Sequence, residues 1–446
     1  MHKNSSFWRD LFHLMHLYTG IFIAPFIFVA AFTGLLYALT PQIEQSLYHQ
    51  VLYSSQAHTQ QQSLSLQVAA AQSIMPKSAH ITEVRPAPAP DRTTRVIFSD
   101  QKNHLDNEAV FINPYTLKVQ GQLPVYGTSG VLPFRTFLDQ IHRNLLLGDF
   151  GRIYSELAAS WLGILAITGL YQWYKRRQHL KKIKISTNSL IQRHSTIGLL
   201  LLPLLLFISI TGLSWSQWAG ENLRIARQWL AWQTPTLTTS VNLTTPPMPM
   251  MHHDHHVMSS EQHMPIFQAT DFNDALAIAR QHGIDATQIQ IRPPQTANQA
   301  WTVTEIQQRW PTQVDSVAID LQHHKVIDQL YFKDYPFVAK LTRWGIDAHI
   351  GLLFGWVNQL ILVLYALGLC SIIIYAFRAW RKKSTFKQSA RHLSKHSIAL
   401  YHEASKMQKI MLIAFLTLFS ICMPAFGISV LCVCLYIILS HYFTSS

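Results

Sequence analysis

Long apolar blocks alternate with polar stretches along the chain, and their lengths predict how the chain meets a membrane. Four blocks are each long enough to cross a hydrocarbon layer of about 30 Å as a helix that rises about 1.5 Å per residue. They cover residues 17–39, 153–174, 195–217 and 350–378. A fifth block, residues 410–443, is broken by Pro424 and Gly427 and predicts two short spans in a hairpin. The pattern predicts a multi-pass membrane protein and excludes a soluble enzyme.

Basic residues are concentrated in the short segments between these blocks. The chain of 446 residues has a formal net charge of +13. Seven basic residues and no acidic residue lie within 175–194, and nine basic residues against one glutamate lie within 378–409. The positive-inside rule therefore predicts that these segments are cytoplasmic and that the two long loops lie outside, in the periplasm. This orientation accounts for the basic clusters, so we expect a lipid membrane and no nucleic acid as partner.

The expected order of segments follows from the blocks and the charges. It is an N-terminal segment with the first transmembrane helix (1–47), a first periplasmic domain (48–152), a second helix (153–174), a basic cytoplasmic loop (175–194), a third helix (195–217), a second periplasmic domain (218–345), a fourth helix (346–380), a basic cytoplasmic segment (381–409) and a transmembrane hairpin (410–443).

The chain repeats itself at two offsets. A shift of 178 residues places the first span on the third, with the identities His16/His194, Gly20/Gly198, Pro25/Pro203 and Thr33-Gly34-Leu35/Thr211-Gly212-Leu213. A shift of 207 residues places the first outer loop and second span on the second loop and fourth span, with identities that include Arg85/Arg292, Val110/Val317, His142/His349, Gly148/Gly355 and Trp173/Trp380. We interpret the chain as an internal parallel duplication of a span–loop–span unit, with a net insertion of 29 residues in the second half.

Both outer loops carry the same kinds of element. Residues 65–75 and 272–282 have helical apolar spacing, whereas residues 109–113 and 316–320 alternate like strands. The expected fold is an all-α membrane bundle of four core transmembrane helices plus a C-terminal hairpin, with two α+β domains on the periplasmic face.

Two pairs of histidines coincide under the repeat. His16 and His194 begin spans that run outward, so this pair is expected at the cytoplasmic side. His142 and His349 precede spans that run inward, so this pair is expected at the periplasmic side. Zinc sites usually need three or four ligands, and no Cys, Asp or Glu accompanies either pair. Haem b takes two imidazoles on opposite faces of its ring inside a helical bundle, so the pattern predicts two b-type haems.

Several neighbouring residues are weaker candidates for the haem sites. Gly20 and Gly198 follow the first pair by one helical turn on the same face, a spacing that suits either a haem or close helix packing. His13 precedes the first histidine of this pair by one turn and competes with it as a ligand. Arg143 and Arg152 suit either haem propionates or anchors at the membrane interface.

This combination of residues resembles that of a known family. The H-x3-G and Thr-Gly sequences of the first span, with Leu-Leu-Leu-Gly-Asp-x-Gly after His142, look like those of PepSY-associated transmembrane proteins, over about residues 7–384. The resemblance implies PepSY-like periplasmic domains, a bacterial inner-membrane location, iron regulation and a two-haem ferrisiderophore reductase. It also implies that His16, His194, His142 and His349 ligate haem iron. The Met/His-rich insertion and the C-terminal hairpin depart from the family pattern.

That insertion, residues 245–264, is a further candidate metal site. Its methionine and histidine residues are Met248, Met250, Met251, His252, His253, His255, His256, Met258, His263 and Met264. Thioether and imidazole ligands suit copper, whereas ferric iron prefers oxygen. The biased, proline-containing composition is more typical of a solvated linker. The segment predicts either an arm that captures copper or iron, or a linker without a metal.

Three functions stay open at this point. The first is a di-haem b reductase that passes electrons from the cytoplasmic side to a periplasmic ferric siderophore, or to a cupric complex. Its electron donor would be a separate cytoplasmic reductase or a quinol, because no G-x-G-x-x-G follows a strand and the cytoplasmic loops are too short for a flavin or nicotinamide domain. The second is a non-redox PepSY module that binds a periplasmic partner. The third, a transporter built on parallel repeats, is disfavoured because the spans nearly lack ionisable residues away from their ends.

Overall fold

Helices account for most of the chain. The computed structural model describes residues 2–54, 60–100, 105–127, 130–180, 189–241, 267–382 and 386–445. The helices are α1 (His2–Ala38), α2 (Thr40–Leu47), α3 (His49–Leu52), α4 (Leu64–Gln72), α5 (Pro133–Asn144), α6 (Gly148–Leu180), α7 (Ser189–Ser214), α8 (Trp218–Trp229), α9 (Asp271–Gln281), α10 (Phe337–His349), α11 (Trp356–Arg381), α12 (Phe386–Glu403), α13 (Lys406–Cys422) and α14 (Pro424–Ser445). A short 3₁₀ helix, Phe332–Asp334, precedes α10.

Four of these helices contain segments long and apolar enough to cross a membrane. The segments are Phe7–Ala38, Gly148–Gln178, Ser189–Ser214 and Trp356–Arg381. Their outward side chains are apolar: Leu200 is 77% exposed and Ile210 is 66% exposed. Apolar side chains on the outside are expected where lipid rather than water surrounds the helices. The chain is therefore a membrane protein, as the hydrophobic pattern predicts.

The fourth spanning helix begins later than its apolar block, which starts at residue 350. Gly351 and Gly355 have φ angles of +84° and +59°. Backbone in this left-handed region cannot continue a right-handed helix, and glycine enters it without a side-chain clash. Residues 350–355 therefore form a turn between α10 and α11.

Two compact units make up the chain. The helical unit comprises Met1–Ala38, Leu138–Ala231 and Gln359–Ser446, and the sheet unit comprises Leu39–Phe137 and Trp232–Asn358.

The helical unit is held by close packing around α6, which packs against both α1 and α7. Ile27, Trp161, Leu205 and Phe426 belong to one buried apolar cluster at its centre. A Cβ atom added to Gly163 would lie 2.7 Å from the Ser209 hydroxyl oxygen. Because a Cβ atom does not fit at that distance, this glycine lets α6 and α7 approach each other closely.

The C-terminal hairpin folds as two helices separated at the predicted break. Helix α13 starts with a capping box, in which Ser405 and Gln408 bond each other's backbone N–H groups. Helix α14 starts at Pro424, a residue that suits the first turn of a helix. The side chain of Phe426 in α14 is fully buried and its ring lies 4.7 Å from that of Trp161. The hairpin is thereby part of the core of the helical unit.

A buried carboxylate connects this hairpin to the bundle. Glu156 of α6 is fully buried. One carboxylate oxygen accepts the backbone N–H groups of Trp218 and Ala219 at 2.9 and 3.2 Å, and the other accepts that of Ala425 at 3.3 Å. The first two belong to the start of α8 and the third to the start of α14. Helix N-termini have unpaired N–H groups and positive partial charge, so one carboxylate stabilises both.

The sheet unit contains one antiparallel sheet of eight strands. The strands are β1 (His80–Arg85), β2 (Thr94–Asp100), β3 (Leu105–Ile112), β4 (Val119–Pro124), β5 (Ile289–Arg292), β6 (Trp301–Glu305), β7 (Ser316–Asp320) and β8 (Lys325–Leu330). Their order in the sheet is β4-β3-β2-β1-β5-β6-β7-β8. Helices α4 and α9 pack on one face, where Phe98 and Phe272 are fully buried. The helices and strands predicted from the outer loops are thus present.

The two loops share this sheet instead of forming two separate ones. Val84 of β1 is paired with Ile291 of β5 at the centre, and Glu83 accepts a hydrogen bond of 2.9 Å from Arg292 across the same junction. Pairing satisfies two strand edges that would otherwise expose backbone N–H and C=O groups. The hydrophobic pattern of each loop is the same for a joined and a separate sheet, so the sequence alone could not distinguish them.

We expect Glu156→Ala to destabilise the helical unit because three backbone N–H groups would lose their buried acceptor. An unsatisfied buried donor costs about 1–3 kcal/mol, so the loss should be at least about 2 kcal/mol. Thermal unfolding of the purified protein in detergent measures it as a lower Tm. The control is Asp149→Ala, which removes an exposed acid from the same helix. Equal Tm values for both variants would contradict a bridging role of Glu156.

Candidate functional site

His16 and His194 lie side by side in the helical unit. His16 belongs to α1 and His194 to α7. The centroids of the two imidazole rings are 6.1 Å apart, and the ring planes make an angle of 77°. Two imidazoles that bind one metal ion from opposite sides, with metal–nitrogen bonds of about 2 Å, have centroids about 6 Å apart. The pair therefore has the separation of two ligands on opposite sides of one metal ion.

The hydrogen bonds of His16 determine which ring nitrogen is available. The Thr168 hydroxyl in α6 donates to the carbonyl oxygen of Ile164, 2.7 Å away. Nδ1 of His16 lies 3.1 Å from the same hydroxyl oxygen. With the single hydroxyl hydrogen directed at that carbonyl, Nδ1–H is the donor and the Thr168 oxygen accepts. A neutral imidazole has only one N–H, which leaves Nε2 with an unprotonated lone pair.

Nδ1 of His194 also carries the ring hydrogen, but its hydrogen-bond partner is of a different kind. Its Nδ1 lies 3.1 Å from the backbone carbonyl oxygen of Ile372 in α11. A carbonyl can only accept, so Nδ1 carries the hydrogen and Nε2 is unprotonated. Metal-ligating histidines usually donate their other N–H to a carbonyl, carboxylate or water. In both rings Nε2 is therefore the nitrogen that could ligate a metal.

His142 ends helix α5 and has a threonine partner too. The Thr33 hydroxyl of α1 donates to the carbonyl oxygen of Val29 at 2.7 Å, and Nδ1 of His142 lies 2.9 Å from that hydroxyl. The argument used for His16 again makes Nδ1 the donor and leaves Nε2 unprotonated. Burial lowers the pKa of His142, so its ring is neutral at pH 7. A neutral ring is the form that ligates metals.

His349 is the last residue of α10 in the sheet unit. Buried Asp347 holds this helix end, because its carboxylate accepts a hydrogen bond of 2.8 Å from Arg343. Its backbone carbonyl also accepts the N–H of Leu352 at 2.8 Å. His142 lies in the helical unit, so the predicted pairing of these two histidines stays a prediction from the sequence repeat.

The glycines near the histidines fall into two groups. A Cβ atom on Gly20 or Gly198 would meet no protein atom within 4 Å, so open space lies one turn from each histidine of the first pair. A Cβ atom on Gly169 would lie 3.0 Å from Cε1 of His16, and one on Gly34 would lie 3.3 Å from Cε1 of His142. The first group leaves room for a flat ligand beside the histidines, whereas the second lets α6 and α1 touch the imidazoles.

These features fit a bis-histidine haem at the first pair. The helices that carry the pair and its hydrogen-bond partners meet in an apolar core, since Ile164, Leu201 and Ile372 belong to the buried cluster of the bundle and Met15 and Ile197 pack against that cluster. Haem needs two facing nitrogen ligands, apolar walls and space for its ring. Groups of three or more metal-binding His, Cys, Asp or Glu side chains, as zinc usually requires, do not occur among the described residues.

The weaker candidates have other contacts. The Nε atom of Arg143 lies 3.9 Å from the carboxylate of Asp139. Arg152 donates to the backbone carbonyl of Trp215 at 3.5 Å. His13 is exposed on α1. None of these contacts tests a role toward haem, so those roles stay predictions from the sequence.

Residues 242–266 lie outside the described residues, and the candidates Met248, Met250, Met251, His252, His253, His255, His256, Met258, His263 and Met264 all fall there.

Sequence reasoning missed the groups that orient the histidines. The histidine pattern does not point to Thr168, Gly169 or the Ile372 carbonyl, and the repeat contains Thr33 and Gly34 only as matched positions. A signal did exist: the tripeptide Thr-Gly-Leu occurs at residues 33–35, 168–170 and 211–213. In the first two copies the threonine bonds a histidine and the glycine lies against the same ring.

The family model of the PepSY-associated TM region matches residues 13–383. The chain belongs to this family. The matched region of the PepSY-associated protein contains all four histidines of the two predicted pairs and ends before the C-terminal hairpin. The comparison with curated proteins found no match.

A substitution at Gly20 tests whether the open space beside His16 belongs to a haem. Because nothing in the protein lies within 4 Å of a Cβ atom there, we expect haem-free Gly20→Leu to unfold at the same Tm as the haem-free wild type. Its side chain would occupy the space of the ring, so the haem content per chain should fall severalfold. Pyridine haemochrome absorbance per mole of protein measures that content.

Gly368→Leu is the contrasting variant, since its Cβ atom would lie 2.6 Å from the Leu201 side chain and should lower the Tm directly. An unchanged haem content in Gly20→Leu would mean that the open space faces lipid.

Proposed function

We propose that this PepSY-associated membrane protein is a di-haem b reductase that passes electrons across the bacterial inner membrane to a periplasmic ferric siderophore. The observation that carries the proposal is the His16/His194 pair, with rings 6.1 Å apart and both Nδ1 atoms donating to protein oxygens. A b-type haem with two axial histidines, when bound, exchanges single electrons and has no open position for oxygen.

The positions of the histidines suit transfer over the depth of a membrane. Seventeen residues of α1 separate His16 from Thr33, the partner of His142. At a rise of about 1.5 Å per residue, His16 and the threonine that bonds His142 lie about 25 Å apart along α1. The hydrocarbon layer is about 30 Å thick, so this separation suits one histidine near each side of the membrane. The assignment of His142 and His349 to one second haem rests on the sequence repeat.

The repeat itself has structural support. The strand order on one side of the β1–β5 junction repeats on the other, and the central pair Val84/Ile291 is related by the offset of 207 residues. A parallel duplication gives each half one histidine of each pair. Two equivalent bis-histidine sites follow from this arrangement.

Charge supports the orientation that such transfer requires. The basic segments 175–194 and 378–409 favour the cytoplasmic side, which leaves the sheet unit in the periplasm. Electrons would then enter at the side of His16 from a cytoplasmic reductase or a quinol. The ferric complex would be reduced at the periplasmic side. Ferrous iron is a softer ion than ferric iron, so hard oxygen chelators hold it less strongly and release it.

Copper is the second candidate substrate. The methionine and histidine residues of 245–264 suit copper better than ferric iron. A cupric reductase would use the same two haems and differ only in the periplasmic complex. A PepSY module without redox activity is the remaining alternative and requires no haem.

Visible spectra of oxidised and dithionite-reduced protein test the cofactor. We expect about two low-spin b-type haems per chain in the wild type and about one in His16→Ala or His194→Ala, since a haem with one axial histidine is held weakly. His282→Ala, which changes a histidine in the sheet unit, is the control and should keep both haems. A colourless protein, made with ample haem supply, would contradict the proposal and favour the non-redox module.

Proteoliposomes test the substrate. With an internal reductant and a membrane-permeant electron carrier, we expect the haems to reduce and then reoxidise when a ferric siderophore is added outside. Parallel reactions with a cupric complex, in the wild type and in a variant that lacks residues 245–264, distinguish the two metals. Reoxidation by copper alone would make the protein a cupric reductase, and reoxidation by neither complex would contradict a metalloreductase.

A further inference from the structure

Two threonine–glycine pairs have the same arrangement around two different histidines. At 168–169 the Thr168 hydroxyl accepts the Nδ1–H of His16, and a Cβ atom on Gly169 would approach Cε1 of that ring to 3.0 Å. At 33–34 the Thr33 hydroxyl accepts from His142, and Gly34 lies against Cε1 of His142 in the same way. The pairs lie on different helices and at different depths.

Each threonine is prepared to accept rather than donate. Thr168 donates its hydrogen to the Ile164 carbonyl and Thr33 donates to the Val29 carbonyl, four residues earlier on its own helix, both at 2.7 Å. Helix geometry fixes that donation, because threonine hydroxyls readily bond the carbonyl of residue i−4. The remaining lone pairs of the oxygen can only accept. The imidazole is thereby held in one tautomer.

The glycines make this contact possible. A side chain at 169 would have to push the His16 ring away, because contacts of 3.0 Å are shorter than Cβ atoms normally make. Displacement of the ring would also lengthen the 3.1 Å hydrogen bond to Thr168. The glycine therefore leaves space for the imidazole ring, and the threonine fixes the orientation of the ring by a hydrogen bond.

We propose that Thr168 and Thr33 are positioning residues that set the reduction potential of two separate haems, Thr168 through His16 and Thr33 through His142. This inference rests on the proposed function. Donation from Nδ1–H to an acceptor increases the basicity of Nε2 as a ligand. A more basic ligand stabilises ferric over ferrous iron and lowers the potential. Replacing the threonine by valine removes the hydroxyl acceptor and leaves the ring only its contact with a backbone carbonyl, that of Leu165 for His16 and that of Ala30 for His142, so the potential of that haem rises.

The His194 ring receives its orientation from a backbone carbonyl, which no side-chain substitution removes. The haem of the first pair would thus have one ligand that a Thr168 variant changes and one that it does not. We expect the effect of Thr168→Val to be moderate and loss of the haem to be incomplete.

A redox titration of the holoprotein, followed by visible and electron paramagnetic resonance spectra, measures both haems. We expect Thr168→Val to reduce the preference for ferric iron about tenfold at one haem only, which is a rise of about 59 mV for one electron. Thr33→Val should shift the other haem and leave the first unchanged. Thr168→Ser keeps the hydroxyl and should restore the potential of the wild type.

Thr19→Val is the matched control. Thr19 is buried on α1, one turn from His16, and the hydrogen bonds of the described residues include none between Thr19 and a histidine. Its valine variant should leave both potentials unchanged. Retention of both haems with no shift in Thr168→Val, an equal shift in Thr19→Val, or failure of Thr168→Ser to restore the potential would each overturn the inference. A wild-type protein without haem would overturn the proposed function as well, so the two failures are distinguishable.

Discussion

The hydrogen bond from an imidazole N–H to an oxygen of a neighbouring helix is the contact on which the candidate site depends. Inside a bundle surrounded by lipid, a polar N–H without an acceptor costs several times more than in water. His16 and His194 meet this requirement with a threonine hydroxyl and a backbone carbonyl. Because Nδ1 is used in both rings, Nε2 is the remaining nitrogen in both. The need to pair every buried N–H group thus leaves the same atom, Nε2, available in both rings.

The same requirement explains the buried glutamate of α6. An isolated carboxylate within an apolar bundle would be very costly. Glu156 instead receives three backbone N–H groups from the starts of α8 and α14. The match to the family ends at residue 383, whereas α14 begins at Pro424. The hairpin that lies outside the matched region is therefore bonded to a residue inside it, and the two parts form one core.

The sequence predicts the larger elements well and the contacts between them less well. The four apolar spans, the break at Pro424 and the helices and strands of the outer loops follow from hydropathy and periodicity. His16 and His194 occupy equivalent positions in the repeat, and this equivalence also predicts that they lie close together. The Thr-Gly-Leu tripeptides could have been found, since a hydroxyl beside a histidine is a recognisable partner. The role of the Ile372 carbonyl could not be predicted, because every residue has a backbone oxygen and only the packing of the helices brings this one to His194.

The pairing at the centre of the sheet joins equivalent strands of the two halves of the chain. Val84 and Ile291, equivalent positions 207 residues apart, face each other across an antiparallel junction. This is the relation that an isologous two-fold axis imposes on two copies of one chain. A single half would present β1 as an open edge, able to pair with any other strand at sufficient concentration. Here the two inner edges are tethered within one polypeptide, so their association is intramolecular. The sheet unit has the architecture of a dimer that dilution cannot dissociate.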